Sequence, residues 1–74
     1  MDVTVIGTFD SARLADEARR ALLAVGVPER RIAVAQNEDG HSTVRVHAQS
    51  SLERDRIRDI LRRNGASSTQ QEAP

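Results

Sequence analysis

The chain has 74 residues, 30% of them charged and 38% hydrophobic, and its eleven acidic and eleven basic residues cancel. A chain this short forms one small domain and buries only about 60% of the surface it exposes when unfolded, a thin margin that a partner subunit would widen. The absence of cysteine removes disulfides, thiolate chemistry and cysteine-held metal; no apolar run approaches the roughly 20 residues of a membrane span.

No basic segment followed by an apolar run opens the chain, so no leader is expected, and the expected setting is cytoplasmic with no membrane partner. Every basic residue is arginine. The guanidinium fork suits phosphate, but nucleic-acid binders usually carry net positive charge. A GC-rich coding bias is the plainer source of the arginines, and no nucleic-acid partner is expected.

In chain order, Val3-Thr4-Val5-Ile6 reads as a strand of β-branched residues. Gly7 through Ser11 reads as the turn into a helix, with Asp10 as N-cap and Ser11 as the alternative. Leu14, Ala18, Ala21, Leu22 and Val25 recur at helical spacing as one apolar stripe. Asp16 and Arg20 form an i,i+4 pair on another face. Gly26 and Pro28 mark the stop. Residues 31–36 read as a second strand and residues 41–48 as a third, with Asn37-Glu38-Asp39-Gly40 as the hairpin turn between them. Ser50-Ser51-Leu52-Glu53 is a capping box. The helix it opens carries Ile57, Ile60 and Leu61 inward and stops at Asn64-Gly65.

The chain repeats itself at an offset of 39 residues: Thr4-Val5 falls on Thr43-Val44, Ser11 on Ser50, Leu22 on Leu61 and Gly26 on Gly65. Two βαβ halves imply an α+β ferredoxin-like βαββαβ sandwich. Right-handed crossovers put both helices on one face of an antiparallel sheet. The symmetry predicts a fourth strand near residues 66–71, beside the first, despite polar composition. The domain is expected to span 1–71, with 72–74 as a frayed tail.

Two resemblances follow from these residues. "VTVIGTFDSARLADEARRALLAVGVPERRIAVAQ" resembles the opening of bacterial general stress (heat-induced stress) protein domains, and "TVRVHAQSSLERDRIRDILRRNGA" is similar to their second half. The resemblance covers roughly residues 3–68. It implies a ferredoxin-like fold and an association with stress, and supplies no catalytic residues. Gly7-Thr8-Phe9-Asp10-Ser11 followed by an alanine-rich helix is also similar to sporulation-related repeats, which bind peptidoglycan. Those domains work outside the cytoplasmic membrane, and the third strand here ends His47-Ala48-Gln49 with no second such turn.

The candidate chemistry is sparse. A phosphate loop needs a second glycine and, in the P-loop form, a lysine; the Gly7 segment has neither, and Asp10 would set a carboxylate at the helix N-terminus. Phe9, the only aromatic, is expected to plug the core. His41 and His47 lie about 20 Å apart along one strand and cannot share a metal within one chain. Arg54, Arg56, Arg58, Arg62 and Arg63 interleave with Asp55 and Asp59 as a solvated mixed-charge face. Base stacking on the sheet would need aromatics that are absent.

Strand alternation sends Val3, Val5, Ile32, Val34, Val44 and Val46 to the helices. It leaves Thr4, Ile6, Ala33, Ala35, Thr43, Arg45 and His47 on the open face, where an exposed Ile6 with two alanines would make a modest apolar patch. The expectation is a non-catalytic, cytoplasmic, stress-associated domain, without cofactor or metal, acting by self-association (as a dimer) or by binding a protein. On that reading Ile6→Glu splits the dimer. A small-ligand-sensing module is the alternative and a peptidoglycan-binding module the third.

Overall fold

A computed structural model of the chain describes residues 3–72. β1 (Val3–Phe9), α1 (Ala12–Ala24), β2 (Ile32–Gln36), β3 (Ser42–Ala48), α2 (Ser51–Arg63) and β4 (Ser68–Glu72) follow in that order. The sheet order is β2-β3-β1-β4, with every neighbouring pair antiparallel. This is the ferredoxin-like α+β sandwich, with both helices on one face.

The internal repeat is visible in three dimensions. Ser11 and Ser50 cap their helices, each Oγ accepting the backbone N–H three residues on, from Leu14 (3.2 Å) and Glu53 (3.1 Å). Gly26 and Gly65 both leave their helices at φ +97°, a left-handed conformation that a side chain would strain. Leu22 and Leu61 are both fully buried, as are Ala18 and Ile57. They pack with Val5, Phe9, Val44 and Val46 into a single core between sheet and helices.

Local details depart from expectation. Gly7 is not part of a turn: β1 continues to Phe9, and Gly7 faces α2. A Cβ there would stand 3.1 Å from Leu61 Cδ1, so the glycine lets α2 settle against the strand. Ser11, the alternative, is the N-cap rather than Asp10: β1 runs to Phe9 and the helix begins at Ala12, so Asp10 stands one residue before the cap and the Ser11 Oγ takes the Leu14 N–H. Val25 belongs to the helix end and is 53% exposed, while Ala15 is fully buried in the stripe. Arg31 closes a 3₁₀ turn, Glu29–Arg31, rather than opening β2. Glu53 accepts the N–H of Gln49 (3.0 Å) rather than that of the cap Ser50. Glu72, placed in the frayed tail, is the last residue of β4; residues 73 and 74 of that tail lie outside the described residues.

Candidate interaction surface

The open face is a grid set by register. Thr4, Ile6 and Thr8 on β1 stand opposite His47, Arg45 and Thr43 on β3, and opposite Glu72, Gln70 and Ser68 on β4. Ala33 and Ala35 on β2 stand opposite Arg45 and Thr43. All seven residues expected on this face, Thr4, Ile6, Ala33, Ala35, Thr43, Arg45 and His47, therefore share it.

Ile6 is not the exposed centre of an apolar patch: it is only 9% exposed. Arg45 and Glu72 stand on the two strands flanking β1 and join by a 2.6 Å ion pair that crosses it. The arginine stem gives apolar cover while its head stays wet. A pair this exposed contributes at most about 1 kcal/mol; its consequence here is the roof it makes. Ile6→Glu would thus disturb a covered residue rather than a docking contact.

Towards the β2 side the face opens. Thr4, Ala33, Arg45 and His47 border a shallow cleft of about 520 Å³, together with Arg30, Arg31 and Gln49. Arg31 is mostly buried. Its Nη1 donates to Glu53 Oε1 at 2.6 Å and to the His47 carbonyl at 3.3 Å, tying the end of β3 to the start of α2. The Gln49 N–H, with Arg31 beside it, holds the Glu53 carboxyl below its ordinary range, against the opposing effect of burial. Neither Arg30 nor Arg31 was singled out by sequence reasoning. The partners of Arg31 lie 16 and 22 residues away, and no local spacing signals them.

The histidines lie at opposite ends of β3. His41 sits beside Asp39 (Nδ1 to Oδ1, 3.2 Å) and Asp10 (Nε2 to Oδ1, 3.7 Å). The His41 N–H donates to Asp39 and lowers that carboxyl's pKa. Among the described residues no group of three or more His, Asp or Glu could hold a metal ion, and no helix is long and apolar enough to cross a membrane. On the helix face, Val25, Leu52 and Ile60 wall a groove of about 220 Å³, with Glu53 and Arg56 at its edge.

Compared with family models, curated proteins and solved structures, the chain matches none. The surface must speak for itself.

Proposed function

We propose that this chain is a non-catalytic interaction domain acting by self-association or protein binding through the β2 side of its sheet. One observation carries the reading: Ala33 and Ala35 are exposed on β2, beside a cleft rimmed by Arg30 and Arg45, whereas the β1 centre of the same face is roofed. Small apolar side chains bordered by arginine give a partner apolar contact with an orienting charge. A cytoplasmic, stress-associated setting is proposed on the resemblance of residues 3–68 to general stress domains.

A photo-crosslinking residue at position 33 tests this, with the same label at the exposed Arg62 on α2 as control. Adducts formed from position 33 and not from position 62 are expected. No adducts, or equal yields from both, would remove the reading.

Small-ligand sensing is the second reading, and the groove favours it: Leu52 is 74% and Val25 53% exposed at its walls. Small amphipathic anions should then raise Tm in the wild type and fail to do so in Leu52→Asp. A flat response across such a panel would discard it.

A further inference from the structure

We propose that the outer edge of β2 seats a second copy of this chain, paired antiparallel about a two-fold axis at Val34. The proposal rests on the interaction-domain reading above and names its partner.

The backbone sets the first condition. β2 ends the sheet, so one of its sides has no neighbouring strand. The Asn37 N–H donates to the His41 carbonyl at 2.7 Å across the hairpin. Alternate residues of an antiparallel strand turn their backbone groups to the same side. Ala33 and Ala35 therefore face β3, and Ile32, Val34 and Gln36 present theirs to the open edge. The Ile32 N–H is already used by the Glu29 carbonyl. The edge thus offers the N–H and C=O of Val34, those of Gln36, and the C=O of Ile32. A two-fold axis at Val34 pairs all of them but the Gln36 C=O, which stays toward solvent: Val34 pairs with its own counterpart, and each Gln36 N–H meets the Ile32 C=O of the second copy.

The side chains set the second. Protected edges carry charge, proline or a bulge, and Ile32–Gln36 reads IAVAQ, with none of these. Val34 pairs with the fully buried Val44, so it lies on the helix side of the sheet, yet it is 43% exposed because no further strand flanks it. The Val34 axis brings the two copies of this residue together and extends the apolar layer across the junction.

Charge selects the register. Arg30 and Glu38 are both exposed and flank β2, Arg30 in the 3₁₀ turn before it and Glu38 in the hairpin turn after it. Among the described residues neither has a hydrogen bond or ion pair, while most of their charged neighbours do. The Val34 axis brings the turn that carries Arg30 beside the turn that carries Glu38 of the second copy, twice over by symmetry. The two nearest registers that keep the same backbone groups outward are centred on Ala33 and Ala35. They slide the two facing turns out of step by two residues, about 7 Å along the strand, and part the two charges. Only the Val34 register satisfies strand, valine and charge at once.

Light scattering behind a sizing column, over micromolar to millimolar concentration, reads the result. The apparent mass of the wild type should rise from 8.1 kDa to about twice that. Val34→Pro removes an outward N–H that β3 does not use, so the fold should persist by circular dichroism while the dimer is lost. Arg30→Glu and Glu38→Arg should each weaken association by about tenfold, because each reverses two symmetric contacts, and the double variant should restore it. A wild type that is monomeric at every concentration overturns the proposal. So does a dimer that survives Val34→Pro, or one indifferent to the charge reversals. Should Val34→Pro fail to fold, the charge series decides. Crosslinks from position 33 to a different protein, with a monomeric wild type, would sink the second copy and leave the interaction-domain reading standing.

Discussion

Gly7→Ala, Leu61→Ala and the double variant form a cycle that tests how α2 is seated on the sheet. A methyl at position 7 would stand 3.1 Å from both Leu61 Cδ1 and Phe9 Cε1, inside the 3.5–4.0 Å at which carbon atoms pack best. Crowding of that kind costs about 1–3 kcal/mol, and replacing a glycine returns about 0.4–1 kcal/mol through the unfolded chain. Gly7→Ala should therefore destabilise by about 1 kcal/mol. Leu61 is fully buried, so its truncation should cost about 3 kcal/mol. In the double variant the new methyl enters space the leucine has left. The contact with Leu61 Cδ1 is gone and the cavity shrinks, while the contact with Phe9 Cε1 stays, so the total should fall about 0.5 kcal/mol or more short of the sum. The whole domain holds about 4–11 kcal/mol by its length, which keeps every variant folded enough to measure. Urea unfolding followed by far-ultraviolet circular dichroism is the assay, since the chain has no tryptophan or tyrosine to report by fluorescence. Additivity within about 0.3 kcal/mol would refute the claim that Gly7 exists for the close approach of α2.

Other outcomes follow from single contacts. Glu53 has its folded pKa lowered from the ordinary 4.5 by the Gln49 N–H and Arg31. Its contribution is thus complete above pH 4.5 and lost as pH falls through the lowered folded value; urea midpoints of wild type and Glu53→Gln should converge between neutral pH and pH ~3, and a constant gap would contradict the assignment. Ser11→Ala and Ser50→Ala should each cost about 1 kcal/mol in thermal or urea unfolding; a cost from Asp10→Ala with none from Ser11→Ala would reassign the first cap. Ile6→Glu should lower Tm while leaving solution mass unchanged at matched folded concentration, because Ile6 is covered within its own chain. A variant with unaltered Tm and lost association would return Ile6 to the docking surface.

The serine caps and the glycine stops are short-range signals that one segment reads by itself, and the repeat at 39 residues, which sets two such segments side by side, carried the topology. The polar β4 was legible only through the symmetry; its own residues, STQQE, suit a strand that needs no buried face. The boundary between β1 and α1 was misread because Gly7 has a turn's composition, and its real cause, Leu61, lies 54 residues away.

Alternation and spacing in the sequence were enough to decide which residues share the open face and, Ala15 and Val25 apart, which helix residues turn inward. Tertiary structure alone decided which of them solvent reaches. Ile6 is closed off by a pair from two other strands, Val34 is left bare by ending the sheet, and Arg31 is drawn to Glu53. Periodicity specifies the direction of a side chain from its immediate neighbours. Its cover, and the pairing of a strand's backbone groups, come from segments that only folding brings alongside.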